Sequence, residues 1–419
     1  MESLHAPGAS VAPDELDELE ELLQEELPTY LEDLATLVNV DCGSYTKAGV
    51  DQVGGWTARF LERLGADVVT HPHETLGDTV VGTLEGGGGP RILLIGHLDT
   101  VFPEGTAKAR PFRVDNGIAT GPGVTDMKAG LLSGLYALLS LRTMNAEAGD
   151  DEDAAPTELP FERVTFVANP DEEIGSPSST AIIRELALES DVCFVLECAR
   201  ENGDIVSARK GTLDLRLTVT GRAAHAGVEP EKGRSAILEA AHQVLALHAL
   251  DGHWPGVTCN VGTLHGGIRP NVVPEEAVLE VDLRANSREH LEAAEAAVRA
   301  IAIATTVPDT SVTIDETGRH WPMEKLELSA VLVEHAITIA NRLGFALADA
   351  TTGGASDANT TAGLGVPTLD GLGPVGGNDH SPREYLEVDS IVPRTCLLAA
   401  LIMAIGRDPL VASWRPHRA

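Results

Sequence analysis

Aromatic residues make up only 4% of this 419-residue chain, so its cores must be built from Leu, Val, Ile and Ala. The hydrophobic share of 43% is ample for that. Lysine is scarce, with only Lys47, Lys108, Lys128, Lys210, Lys232 and Lys325. Against 30 Lys and Arg stand 64 Asp and Glu, a formal net charge of −34. Such a surface repels phosphate backbones and excludes nucleic acid as a partner. Its self-repulsion relaxes when salt screens it, which points to a salt-rich cytoplasm of halophilic type. The alternative is an acidic protein of an ordinary high-GC organism. The five cysteines (Cys42, Cys193, Cys198, Cys259, Cys396) are odd in number and lack CxxC spacing. That excludes a disulfide frame and a thiolate zinc site and suits a reducing, cytoplasmic compartment. The N-terminal stretch from Asp14 to Glu26 is acidic, without a basic start or apolar core. No signal peptide is expected, no apolar run approaches membrane-spanning length, and no membrane is expected as a partner.

Length predicts two domains. Leu16, Leu19, Leu23 and Leu27 recur at helical spacing until Pro28, where a break is expected before a second helical segment to Val38. Val50 to Leu64 gives another helix, closed by Gly65. Strands and helices then alternate to Glu197, with a helix over Met127–Arg142 and a solvated acidic loop over Asn145–Pro160. From Thr212 the run Leu213-Asp214-Leu215-Arg216-Leu217-Thr218-Val219 alternates with period two, the mark of an antiparallel strand with one buried face. The order β-α-β-β-α-β that follows is that of a ferredoxin-like sandwich. The fold expected is α/β, a mixed and mostly parallel sheet flanked by helices. The α+β domain (residues 212–318) is inserted between the two parts of the larger one (1–211 and 319–419).

Three apolar runs end in metal-type donors. Ile92–Ile95 runs into Gly96-His97-Leu98-Asp99, Val164–Ala168 into Asp171-Glu172-Glu173, and Val192–Leu196 into Glu197. Ligands of open α/β sheets bind outside the carboxyl ends of the strands, and these ends carry oxygen and imidazole donors suited to divalent ions. Asp126 in a Gly-rich loop can lean across two metals, and His380 sits in a loop with no apolar face to hide it. His97 and Asp99 start on one face, so that one can ligate while the other orients it. Of the adjacent pair Glu172 and Glu173, one should ligate while the other is free for proton transfer.

These segments, with Gly121-Pro122-Gly123-Val124-Thr125-Asp126-Met127-Lys128 and Gly377-Asn378-Asp379-His380-Ser381, come in the order of the co-catalytic zinc metallopeptidases. That family includes glutamate carboxypeptidase, aminoacylase, acetylornithine deacetylase and succinyl-diaminopimelate desuccinylase. The likeness spans about Leu31 to Gly406 and is greatest to glutamate carboxypeptidase. The resemblance implies two Zn2+ ions, with Co2+ or Mn2+ as substitutes. Asp126 would bridge them, His97 and Glu197 would hold one, and Glu173 and His380 the other. Asp99 would orient His97, and Glu172 would be the general base. His225, in Gly221-Arg222-Ala223-Ala224-His225-Ala226-Gly227, matches a histidine that reaches the partner subunit's active site and stabilises an oxyanion. Asn271, Arg284, Arg319 and Gly354 match substrate-side positions.

The implied activity is hydrolysis of an amide or peptide bond beside a free carboxylate, in a homodimer joined through the inserted domain, acting on small peptides or N-acyl amino acids. The alternatives are an N-acyl-amino-acid deacylase of acetylornithine or succinyl-diaminopimelate type, and a non-catalytic binder of amino-acid conjugates.

Overall fold

The computed structural model describes residues 11–149 and 159–414. They divide into two compact units. The first comprises the chain up to Ser207, Lys325–Thr351 and the chain from Ser356 on; the second comprises Ala208–Glu324 with Thr352–Ala355.

The first unit is built on a six-stranded sheet in the order Asp67–His71, Thr79–Glu85, Arg163–Asn169, Arg91–His97, Val192–Val195, Thr368–Leu369. Arg91–His97 is parallel to both neighbours, and Thr368–Leu369 is parallel to Val192–Val195. The first two strands are antiparallel. Ile92, Leu93, Leu94 and Ile95 are all fully buried, which is why this central strand reads as an unbroken apolar run and not as an alternation.

Three helices, Pro13–Val38, Ala129–Gly149 and Ile391–Arg407, pack on one another. The Tyr30 hydroxyl donates to the Ala129 carbonyl at 2.6 Å, and Thr395 Oγ1 donates to Ser133 Oγ at 2.9 Å.

Three sequence expectations are corrected here. Pro28 does not break its helix, because Pro13–Val38 is continuous. Pro28 and Gln24, whose carbonyl loses its i+4 donor, are both exposed, so water can satisfy that carbonyl. The buried stripe Leu16, Leu19, Leu23, Tyr30, Leu34, Leu37 holds the rest. The second correction concerns the acidic loop expected from Asn145: the preceding helix continues to Gly149, and residues 150–158 lie outside those described. Third, Val388–Arg407 is long and apolar enough to cross a membrane by length and composition, although 78% of that stretch is buried inside the protein. Within it, buried Arg394 donates to the carbonyls of Gly373, Gly203 and Gly371, which is how a charge is tolerated there.

The second unit is a four-stranded antiparallel sheet in the order Thr258–Gly266, Glu276–Ala285, Gly211–Thr220, Ser311–His320. Helices Ala236–His248 and Arg288–Ile303 cover one face. The alternation Leu213, Leu215, Leu217, Val219 points into that core, each at most 1% exposed. Ser235 and Ser287 cap the two helices by accepting from the Leu238 and His290 amides. Strand Thr258–Gly266 is an edge, and most of its residues are exposed.

Candidate metal centre

Because the three central strands run parallel and in register, their donors emerge at one edge. His97 ends its strand opposite Asn169, and Ile95 is level with Val195, which places Glu197 beside His97. The Glu172–Ile174 turn follows directly. Asp126 enters from a distorted turn at Val124–Lys128, where its backbone leaves helical geometry, and His380 enters from a late loop. Asp126 Oδ1 lies 3.0 Å from His97 Nε2, and its Oδ2 lies 3.1 Å from His380 Nε2. Glu197 Oε1 is 3.7 Å from His97 Nε2, and Glu173 Oε2 is 3.1 Å from His380 Nε2. Ligating atoms of His97, Asp126 and Glu173 fall within 4.8 Å of one another, as do those of His97, Glu172 and Glu197.

The charges are interdependent. Burial works against protonating His97, but Asp126, Asp99 and Glu197 outweigh it and raise its pKa. His380 is pushed up to about 11 by its bonds to Asp126 and Glu173. Asp126 is lowered, since the two imidazoles overcome its burial. Burial, then the Glu197 charge, holds Glu172 well above the ordinary carboxylate range. Glu173 is raised by burial, against its bond to His380.

Asp99 does more than orient one ring. Its main-chain carbonyl is 3.0 Å from His97 Nδ1, closer than its carboxylate at 3.4 Å. A carbonyl can only accept, so Nδ1 carries the proton and Nε2 is left for a ligand. The Asp99 carboxylate accepts from the amides of Glu172 (3.1 Å) and Glu173 (3.2 Å) and from Ser44 Oγ (2.6 Å). It thereby ties the first strand end to the acidic turn.

Sequence reasoning missed the groups that hold these donors. Glu384 is 1% exposed. Its Oε2 accepts from the Gly123 amide (2.9 Å), and its Oε1 accepts from Thr125 (2.9 Å) and Asp126 (3.2 Å). Burial pushes its pKa up to about 7 against those three bonds. Asp357 accepts from Asn169 Nδ2 (2.6 Å) and Ser176 Oγ (2.7 Å), bracing the acidic turn from behind. An acidic residue four positions after His380 was the only signal for Glu384; Asp357 had none beyond its Gly-rich loop.

The other sequence candidates lie in the second unit. His225 is exposed, in a two-residue strand paired with Val272–Val273, and its Nδ1 accepts the Gly227 amide at 3.1 Å. The Asn271 carbonyl accepts the Ala226 amide at 3.1 Å, so the two candidates are neighbours. Arg284 and Arg319, expected to be available for a substrate carboxylate, are already paired within the unit. Arg284 binds Asp282 and the Gly353 carbonyl. Arg319 binds Glu316 and Glu295 and lies over the Trp321 ring. The Gly354 carbonyl accepts from Arg209 at 3.1 Å.

A model of a peptidase dimerisation domain matches residues 207–310. Carboxypeptidase G2 of Pseudomonas sp. (strain RS-16) is 29% identical over 404 residues, covering 95% of this chain and 94% of that protein. The chain belongs to the M20 peptidase family. It is a hydrolase of carboxypeptidase or deacylase type. Another relative of this M20 chain is a succinyl-diaminopimelate desuccinylase of Leptothrix cholodnii, 28% identical over 80% of this chain and 89% of that protein. The crystal structure of aminopeptidase PepT from Bacillus cereus shares the fold, with a TM-score of 0.73 at 24% identity over 90% of this chain and 98% of that one. The M20 metallopeptidases imply a divalent metal, and the donors fit one: two imidazoles and a set of carboxylates converge, the nitrogen and oxygen atoms such an ion takes.

Proposed function

We propose that this chain is a two-metal hydrolase that cleaves an amide beside a free carboxylate, as a glutamate-type carboxypeptidase does, and that it works as a homodimer. One observation carries the reading. Asp126 turns one carboxylate oxygen to His97 and the other to His380, so each imidazole defines its own half-site around a shared carboxylate. His97 and Glu197 would hold one ion, His380 and Glu173 the other, and Asp126 both; zinc suits the nitrogen and oxygen donors. Such ions supply acidified water and a polarised carbonyl.

The chain's own residues supply the rest. Glu172 belongs to the acidic turn that Asp99 anchors through the Glu172 amide. Its raised pKa suits a group that takes a proton from water and returns it to the departing amine. In the second unit, His225 and Asn271 are assigned to substrate contact and not to metal. Glu172→Ala should abolish turnover while leaving the metal content of the purified protein unchanged. Loss of one ion along with activity would make Glu172 a ligand instead, an alternative favoured by its closeness to His97 and Glu197.

The dimer reading rests on the second unit's outer surface. Ile237, Leu238 and Leu245 stand exposed on helix Ala236–His248, beside edge strand Thr258–Gly266 with exposed Leu264. An unpaired strand edge next to an outward apolar stripe is suited to a second copy of itself. The similarity to a desuccinylase keeps N-acyl-amino-acid deacylation as the second reading.

A further inference from the structure

The first unit also holds a cavity of about 300 Å³ that shares no lining residue with the metal centre. Phe345, Ala346, Val375 and Pro393 give it apolar surface, and Glu201 and Glu387 line it as well. Arg394 is the cation among the lining residues, but it is 2% exposed and fully engaged. Its Nε, Nη1 and Nη2 donate to the carbonyls of Gly373, Gly203 and Gly371. It is therefore closed to an incoming anion.

The two glutamates are in the opposite state. Among the described residues, neither the Glu201 nor the Glu387 carboxylate has a hydrogen bond or an ion pair. Burial, and then the charges of Glu201 and Glu387, raise the pKa of Tyr385, so both carboxylates act on one hydroxyl and lie in one neighbourhood. An anionic ligand is repelled there. A neutral apolar ligand would take water from the carboxylates and give them no partner. A protonated amine on an apolar body suits both kinds of surface, and an ammonium also suits the face of a ring such as Phe345.

The cavity walls continue into both half-sites. The Val375 amide donates to Ser390 Oγ at 2.8 Å, and the Glu387 amide donates to the Val375 carbonyl at 2.8 Å. Val375 leads into Gly376–Gly377, where Gly377 pairs with Tyr385, and His380 follows three residues later. At Gly377 a Cβ would meet Glu201 Oε1 at 2.9 Å, so the Glu201 side chain lies against the segment that carries His380. On the other side, Gly373, whose carbonyl Arg394 holds, donates its amide to the Glu197 carbonyl at 2.8 Å. We propose that this cavity binds a small organic cation, a protonated amine on a short apolar body, and that its occupancy shifts the His380 and Glu197 donors. Binding stands apart from the hydrolase reading, whereas the shift rests on the two-metal reading of those donors.

The test is calorimetry of the full-length chain, dialysed against zinc, with phenethylammonium, methylammonium and 3-phenylpropionate. Phenethylammonium should bind once per chain. Methylammonium, which lacks the apolar body, should bind at least roughly tenfold more weakly, and 3-phenylpropionate should not bind. Glu201→Gln combined with Glu387→Gln should weaken phenethylammonium roughly tenfold while leaving the melting temperature in place. Attraction by the −34 charge alone would show as equal binding of the two amines. Binding at the metal centre would show as no loss in the double variant. Either result would overturn the assignment. The shift is read from the visible absorption of the Co2+-loaded chain, which phenethylammonium should change in the wild type and not in the double variant at the same amine concentration. An unchanged wild-type spectrum would remove the shift, and a change that persists in the variant would place the amine on the metal. Failure to load Co2+ at all would count against the metal centre, and calorimetry would still decide the cavity.

Discussion

Replacing Glu384 by glutamine keeps the size of the side chain and removes one acceptor. The Gly123 amide bonds to one oxygen, and the Thr125 and Asp126 amides to the other. A glutamine can satisfy only one of those two directions, and its amide group faces N–H donors in the other. At least one hydrogen bond to a charged acceptor is lost, worth about 1.5–3 kcal/mol, and a buried donor is left without a partner. Part of that loss is offset because the wild-type carboxylate is itself held unfavourably, its pKa pushed up to about 7 by burial. A net destabilisation near 2 kcal/mol is therefore expected. The three amides belong to the segment that presents Asp126, so the loss should also reach metal binding. Each 1.4 kcal/mol that passes into that equilibrium weakens affinity about tenfold. Urea melts of the metal-free protein would read the first effect, and titration with Co2+ followed by its visible absorption would read the second. A Glu384→Gln protein that is less stable but binds Co2+ as tightly, with an unchanged spectrum, would refute the view that this carboxylate positions Asp126.

Three further outcomes follow from charge and surface. His380 is pushed up to about 11 in the metal-free centre and so holds a proton at neutral pH that an ion must displace, and His97 is raised in the same direction. Metal affinity should therefore rise with pH through the neutral range, and calorimetry in buffers of different ionisation enthalpy should show proton release on loading; pH-independent binding would contradict the His380 placement. The −34 formal charge predicts a melting temperature that climbs from low to molar KCl, and a flat response would remove the halophilic proposal. Leu245→Glu, on the exposed apolar stripe, should shift sedimentation from dimer to monomer without lowering the melting temperature of the separated chain; an unchanged dimer would place the interface elsewhere.

What could be read beforehand was what the chain states locally. Ile92–Ile95 running into His97 signals a buried strand and its donor-bearing end within eight residues, and the alternation from Leu213 to Val219 signals a one-sided sheet just as locally. The supporting contacts are long-range. Glu384 reaches the Asp126 loop across 258 positions and Asp357 reaches Asn169 across 188, so no spacing rule exposes them. Pro28 misled because propensity speaks of the isolated helix, while the buried leucine stripe decided the outcome. For Arg284 and Arg319 the sequence named a role but not the partners each holds within the chain. An arginine suited to a substrate carboxylate is equally suited to Asp282 or Glu316, and in this acid-rich chain those were nearer.

The shared carboxylate of Asp126 is tested most directly by counting ions. Elemental analysis of the protein after dialysis against zinc should find two ions per chain in the wild type, and Asp126→Ala should lose both half-sites together. A single ion in the wild type, or two retained in the variant, would contradict the two-metal centre.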